Sequence, residues 1–159
     1  MPLYLIDGYN FLFRLEGTKK KPFETKRNSF IHLLNETLAS FKSPVMVIFD
    51  SSEQTLTYAQ HQALEHLEVV YAPKGKTADN YIIELVETSR NPKNIVVVSS
   101  DNGLCRQCQH IGCKTIKVEE FLMSFNKKRK KEKTKPDYKQ LPSEMQRLLE
   151  EFEKRLRDS

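Results

Sequence analysis

Short apolar runs that end near an aspartate constrain the fold of this chain more than any other feature. Three runs share this pattern: Leu3–Ile6 with Asp7, Val45–Phe49 with Asp50, and the predicted strand Asn94–Ser99, which contains the apolar run Ile95–Val98, with Asp101 shortly after it. Runs of this length and composition are typical of strands that are buried on both faces, as in parallel sheets. We therefore expect parallel strands whose carboxyl ends carry acidic side chains.

Helical and further strand patterns lie between these runs. Apolar residues recur at helical spacing from Phe30 to Phe41, with Thr25 as a candidate N-cap. Further helices are predicted from Thr77, from Asp101 to before Gly112, as a short turn over Phe11–Arg14, and as a closing turn over Glu119–Phe125. Further strands are predicted at Glu68–Ala72 and Cys113–Val118, and the polar segment Tyr58–Leu67 is predicted as a helix. Because strands alternate with helices, we expect an α/β fold with a mostly parallel, five-stranded sheet.

Composition and charge divide the chain in two. Its 159 residues, 38% hydrophobic and 30% charged, suit one soluble domain without a membrane span. The formal charge of +5 lies wholly in residues 127–159, which hold 12 basic and 7 acidic residues. We expect a domain over 1–126, then a basic linker and an amphipathic helix whose apolar stripe is Met145, Leu148, Leu149, Phe152 and Leu156. An N-terminus without a signal-peptide pattern and three cysteines indicate a reduced, cytoplasmic protein.

The aspartates are the candidate metal ligands. Asp7, Asp50 and Asp101 follow strands, and Asp79 opens a helix after a strand, so a parallel sheet would bring all of them to one edge. Like charges in a partly buried site repel unless cations neutralise them or protons are retained. Carboxylates without Cys or His suit Mg²⁺ or Mn²⁺. Taken singly, each has a plainer explanation, because aspartate also forms turns and caps helices.

The motifs around these acids resemble those of the YacP-like NYN domain family, in the PIN-like ribonuclease superfamily. The resemblance covers residues 3–125 and rests on Asp7-Gly8-Tyr9-Asn10, Val47-Ile48-Phe49-Asp50, Val70-Tyr71-Ala72, Thr77-Ala78-Asp79 and Ser99-Ser100-Asp101. It implies a PIN-like three-layer α/β/α sandwich and a Mg²⁺- or Mn²⁺-dependent endoribonuclease of the ribosome-associated, mRNA-cleaving type. It also implies metal binding by the four aspartates. The chain differs from the family pattern at Asn80, where a second acid is common.

Further residues around the aspartates are candidates for substrate contact. The resemblance implies that Asn10 orients water or a phosphate and that Thr77 and Ser100 add hydroxyl contacts. Lys74 and Lys76 are candidates for the RNA backbone, as point charges beside phosphate. Tyr9 is expected to be exposed at this edge, where it could stack on a base or equally pack over the cluster. Asn80 offers a neutral oxygen. The basic run of residues 127–133 suggests salt-sensitive affinity for RNA or a ribosome.

Two other functions stay open from the sequence. The first is an RNA- or ribosome-binding module on the same fold that does not cut, for which Asn80 is the hint. The second is a phosphatase or phosphoacceptor domain that uses Asp7 or Asp50. Such phosphatases carry a second acid two residues after the first, where this chain has Tyr9. The sequence does not indicate an oligomeric state.

Overall fold

One mixed sheet forms the centre of the domain. The computed structural model describes residues 1–16, 24–50 and 59–124, with all their side chains except those of residues 16, 24 and 25. The described strands are β1 (Leu3–Asp7), β2 (Val45–Phe49), β3 (Gln60–Ala63), β4 (Glu68–Tyr71), β5 (Ile95–Val98) and β6 (Lys114–Ile116). They pair in the order β3-β4-β2-β1-β5-β6, and among them only β3 runs antiparallel to its neighbour.

Helices cover both faces of this sheet. The described helices are α1 (Gly8–Glu16), α2 (Glu24–Thr37), α3 (Ala78–Thr88), α4 (Asn102–Ile111) and α5 (residues 118–124), with short 3₁₀ turns at Leu38–Ser40 and Pro92–Asn94. Side chains of α1, α2 and α5 pack on one face, and those of α3 and α4 pack on the other. The predicted fold class, a mostly parallel three-layer α/β/α sandwich, is confirmed.

Alternate residues of the central strands feed the two cores. In β1, Ile6 packs with the α1 side, whereas Leu5 packs with the α3 side. In β2, Val47 and Ile48 divide in the same way. Because both faces are covered, every residue of β5 is buried, and this explains why its sequence is an unbroken apolar run.

The prediction of a helix over Tyr58–Leu67 is wrong for the residues described. Gln60–Ala63 forms the edge strand β3, which pairs antiparallel to β4. All of its side chains are exposed, so the strand has no buried face and lacks the alternation by which a strand is recognised. The sheet consequently has six strands rather than five.

Close packing at Gly8 brings the start of α1 to the carboxyl edge of the sheet. The helix begins at Gly8, directly after Asp7, and runs to Glu16, well beyond the predicted turn. A Cβ atom on Gly8 would lie 2.5 Å from Cε1 of Phe49, so this position has no room for a side chain. The tight junction places Asn10 in the first turn of a helix beside the end of β1.

Several predictions concern residues or side chains outside the part described. These are the Thr25 cap, Tyr58 at the start of the predicted helix, Phe125 at the end of the closing turn, the basic run, the amphipathic C-terminal helix and the boundary at residue 126. Within residues 1–16, 24–50 and 59–124, no helix has the length and apolarity to span a bilayer.

Candidate active site at the carboxyl edge of the sheet

The parallel strands all end at one edge, which we call the carboxyl edge. Asp7 is the last residue of β1, and Asp50 directly follows β2. Asp79 lies in the first turn of α3, and Asp101 is the N-cap of α4. The structure therefore brings together side chains that are up to 94 residues apart in sequence, counted from Asp7 to Asp101. Ligands bind at this edge in open α/β sheets.

Asp7 is the most deeply buried of the four acids. Asp7 is only 5% exposed, and its Oδ2 lies 3.4 Å from the hydroxyl of Ser99. Burial, and then the neighbouring Asp79 and Asp50 carboxylates, raise the pKa of Asp7 well above its usual value. A hydrogen bond from the backbone N–H of Asn10 opposes this shift without cancelling it. The fold therefore holds this carboxyl where ionisation is costly.

Asp79 connects Asp7 to Asp101. Burial raises the pKa of the Asp79 carboxyl, and the charges of Asp101 and Asp50 add to that effect. A hydrogen bond with Asp7 works in the opposite direction, and a second hydrogen bond joins Asp79 to Asp101. The aspartates thus interact as one cluster, which we call the aspartate cluster.

Asp50 and Asp101 also bond to the backbone. Oδ1 of Asp50 accepts from the N–H of Ala78 at 3.2 Å, at the start of α3. Oδ1 of Asp101 accepts from the N–H groups of Gly103 and Leu104, at 2.9 and 3.2 Å. Both carboxylates therefore satisfy N–H groups at helix starts, as the plainer explanation of these residues expects.

Ser99 is a site residue that the sequence did not single out. It is fully buried, and its hydroxyl lies 3.4 Å from Oδ2 of Asp7 and 3.4 Å from Oδ1 of Asn10. The same oxygen accepts from the N–H of Asp101 at 3.1 Å. A polar side chain immediately after the buried run of β5 was the available hint. Ser99 links three residues of the carboxyl edge.

Asn10 and Ser100 belong to a second set of contacts. Oδ1 of Asn10 accepts from the N–H of Ser100 at 2.8 Å. The Ser100 hydroxyl donates to Glu119 at 2.9 Å, and Nε of Arg14 donates to the same carboxylate at 2.5 Å. The sequence did not single out Glu119 or Arg14.

The remaining predicted contact residues have varied surroundings. Lys74 and Asn80 are exposed, while the Thr77 hydroxyl accepts from the N–H of Asn80 at 3.1 Å as the N-cap of α3. The Lys76 ammonium forms an ion pair with Glu84. None of these contacts joins Lys74, Lys76, Thr77 or Asn80 to the aspartate cluster.

The expectation of an exposed Tyr9 is wrong. Tyr9 is 6% exposed, and its ring contacts the rings of Phe13 and Phe49. Its hydroxyl lies 3.4 Å from a guanidinium nitrogen of Arg27. The aromatic side chains of this core hold the Tyr9 ring away from solvent, so stacking of a base on it does not fit this structure.

The donor set of the aspartate cluster fits a hard divalent cation. Its side chains offer only oxygen ligands, and burial together with neighbouring carboxylates raises the pKa of Asp7 and Asp79, as a site that lacks a neutralising cation would. Within the described part of the chain, no three His, Cys, Asp or Glu side chains are spaced as ligands of one ion. Asp79 instead forms hydrogen bonds with Asp7 and Asp101. The chemistry of the ligands fits, and their spacing would have to adjust on binding.

The sandwich with acids at its carboxyl edge defines the class of the protein as a PIN-like α/β domain. A family model described as the YacP-like NYN domain matches residues 4–159, and the chain belongs to this family. Membership supports a nuclease-like function related to RNA, in a group that generally uses divalent metals.

Solved structures support the same fold. The chain is similar to Rae1 (YacP) from Bacillus subtilis, with 22% identity over 99% of this chain and 81% of that one, and a TM-score of 0.59. A tryptophan-to-leucine variant of Rae1 gives 24% identity over 80% and 76% of the two chains, with a TM-score of 0.61. At these identities the likeness bears on the fold alone. A search of curated proteins found no match.

Proposed function

We propose that this protein is a metal-dependent endoribonuclease that hydrolyses RNA phosphodiester bonds at its carboxyl edge. The observation that carries the proposal is the aspartate cluster, in which burial and mutual repulsion raise the pKa of Asp7 and Asp79. Uncompensated buried charge is costly, and perturbed carboxyls concentrate at functional sites. Membership of the YacP-like NYN domain family supports RNA as the substrate.

The residues of the carboxyl edge have distinct roles in this proposal. Asp7, Asp50, Asp79 and Asp101 would hold Mg²⁺ or Mn²⁺. A divalent cation bound there supplies charge neutralisation at the phosphodiester and lowers the pKa of water. The amide nitrogen of Asn10 is left to orient a phosphate oxygen, because its carbonyl oxygen accepts from Ser100. Water attacks the phosphorus, and the bond to the leaving oxygen breaks, without a covalent enzyme intermediate.

Outer contacts would position the RNA strand. Lys74 is exposed in the loop before α3, where its ammonium can reach a phosphate. Thr77, Asn80 and Ser100 flank Asp79 and Asp101 and offer polar groups to the same strand. Lys76 has a weaker claim, because Glu84 offsets its charge, and Tyr9 keeps only its hydroxyl as a candidate.

We extend the proposal to mRNA as substrate and the ribosome as a candidate partner. The support is family membership together with the positive charge of residues 127–159. A basic segment gives affinity for any polyanionic RNA and makes that affinity dependent on salt. Action on mRNA would place the protein in the cytoplasm.

The test is cleavage of a long, end-labelled single-stranded RNA with Mn²⁺ or Mg²⁺. We expect internal cuts by the wild type that EDTA, Asp7→Asn and Asp79→Asn abolish. Glu87→Gln is the matched control for Asp79→Asn, because Glu87 is exposed on the same helix about two turns away. Cuts that survive in both aspartate variants would reject the aspartate cluster as the active site.

The spacing of the carboxylates favours one second candidate, an RNA-binding module that does not cut. In the described residues the acids are not arranged as a ready three-ligand group, and Asn80 is neutral. Such a module would bind RNA equally well in EDTA and would leave it intact with either metal. Phosphoryl transfer to Asp7 is disfavoured, because a residue that is 5% exposed and bonded to Asp79 is poorly placed to attack.

A further inference from the structure

Lys117 lies beside the aspartate cluster, although its sequence position at the end of a short strand suggests no role. It directly follows β6, the strand next to β5. The carbonyl of Ile116 accepts from the N–H of Ser99 at 3.1 Å, and the N–H of Val118 donates to the Ser100 hydroxyl at 3.3 Å. Lys117 is therefore fixed between two contacts to the segment that leads into Asp101.

The ammonium of Lys117 is held by uncharged groups. Its Nζ donates to Oδ1 of Asn102 at 2.6 Å, and Sγ of Cys105 lies 4.0 Å away. Asn102 is the residue after Asp101 and begins α4. The ammonium thus contacts the residue that directly follows Asp101, through an amide oxygen that carries no charge.

Two other cations of the described domain are held differently. The guanidinium of Arg14 pairs with Glu119, and the ammonium of Lys76 pairs with Glu84. Within the described residues, no carboxylate lies at ion-pair distance from Lys117. A bound carboxylate offsets the charge that a phosphate would meet, whereas an amide oxygen orients the ammonium and leaves its charge in place. Of Arg14, Lys76 and Lys117, only Lys117 is held in place by an uncharged group, and it is therefore the best suited of the three to bind a phosphate.

We propose that Lys117 binds a backbone phosphate of the RNA strand that lies across the carboxyl edge, on the Asp101 side. The inference rests on the proposed function and adds a residue that positions the substrate. Lysine contacts phosphate as a point charge, which positions a strand without reading its sequence. The amide oxygen of Asn102 holds the Lys117 ammonium at this place. The other N–H groups of that ammonium would donate to the phosphate.

The test is the salt dependence of RNA binding in EDTA, where no cleavage interferes. Fluorescence anisotropy with a labelled single-stranded RNA gives log K against log [salt] for wild type, Lys117→Gln and Lys114→Gln. Loss of one phosphate contact lowers the slope by about 0.7, which weakens binding about 8-fold at about 50 mM monovalent salt. Lys114 is the matched control, because it is exposed at the opposite end of β6; its variant should keep the wild-type slope.

Two further substitutions separate charge from folding. Lys117→Arg keeps the charge and should restore the slope. Lys117→Met keeps the unbranched stem beside Cys105 and should repeat the loss seen with Lys117→Gln, even if the polar variant folds poorly. Circular dichroism checks the fold of each variant.

The outcomes distinguish this inference from the proposed function. Equal slopes for wild type and Lys117→Met overturn the phosphate contact, while metal-dependent cleavage by the wild type would leave the nuclease proposal standing. Equal losses in Lys117→Met and Lys114→Gln also overturn it, because they would indicate a diffuse charge effect. Failure of the wild type to bind RNA in EDTA would also overturn the phosphate contact, and the nuclease proposal would then be decided by the cleavage test with Mn²⁺ or Mg²⁺.

Discussion

Two pairs of aspartates at the same sheet edge have different surroundings. Asp50 and Asp101 accept hydrogen bonds from backbone N–H groups at the starts of α3 and α4. Asp7 also accepts from the backbone N–H of Asn10, but burial and the neighbouring carboxylates still raise the pKa of both Asp7 and Asp79, which bond to each other. The first pair has a structural use at the helix starts, whereas burial and repulsion oppose the ionisation of the second pair. The burial of Asp7 and Asp79 side by side is therefore the feature that a proposed function has to explain.

The first prediction separates the pairs by metal affinity and carries the largest expected effect. We expect Asp7→Asn and Asp79→Asn to lower Mn²⁺ affinity by at least about 100-fold, because loss even of residues behind the ligands costs about 10- to 100-fold. Asp50→Asn and Asp101→Asn should lower Mn²⁺ affinity by only about 10-fold, because one oxygen of each aspartate already bonds to the backbone. Isothermal titration calorimetry measures all four. Losses of the same size at every position would erase the proposed difference between the pairs.

The second prediction concerns the stability that Asp7 costs in EDTA. A carboxyl whose pKa is raised on folding binds its proton more tightly in the folded state, so its contribution is most favourable below the ordinary value of 3.8. The free energy of unfolding of the wild type should therefore fall relative to Asp7→Asn as pH rises from there through the raised pKa. Urea denaturation over a pH series measures the difference. A variant that is less stable than wild type at neutral pH would show that ionised Asp7 stabilises the fold.

The third prediction concerns the structural use of Asp101. Asp101→Ala removes the acceptor for Gly103 and Leu104, and the loss of such an N-cap costs about 0.5–2 kcal/mol. Asp101→Asn should leave the free energy of unfolding nearly unchanged, because asparagine caps as well as aspartate. Urea denaturation of both variants in EDTA gives the comparison. Equal destabilisation would mean that the charge, rather than the cap, holds the start of α4.

Much of this site could be predicted from the sequence, because parallel strands direct their ends to one edge. That rule alone was enough to predict that Asp7 and Asp50, which follow Leu3–Ile6 and Val45–Phe49, lie close together. The start of α3 was also correct, since Thr77 is a good N-cap and does cap the helix. Local pattern and topology together were enough for these elements.

The missed features depend on contacts that no local pattern encodes. Strand β3 is held by backbone pairing to β4, so its exposed polar residues carry no periodicity. Tyr9 is covered by Phe49, which is 40 residues away in sequence. Glu119 meets Arg14 across a separation of 105 residues. Such contacts follow from the three-dimensional packing and have no sequence pattern of their own.

The last prediction uses Glu119 as an internal contrast to Asp7, with the smallest expected effect. Burial raises the pKa of Glu119. Hydrogen bonds from its own backbone N–H, from Arg14 and from Ser100 lower the pKa by more than burial raises it, so the net shift is downward. A lowered pKa contributes stability above the ordinary value of 4.5, and that stability is lost as pH falls through the folded-state pKa. The sign is opposite to that of Asp7, although both acids lie near the same edge.

Arg14→Gln tests this contrast in urea denaturation over the same pH series. Because the Arg14 side chain is 52% exposed, its ion pair should be worth less than about 1 kcal/mol at neutral pH. We expect the difference from wild type to shrink as pH falls below 4.5 and Glu119 takes up a proton. A difference that grows in acid would mean that Glu119 behaves like Asp7. In that case the hydrogen bonds from Arg14 and Ser100 would not explain why Glu119 stabilises the fold and Asp7 does not.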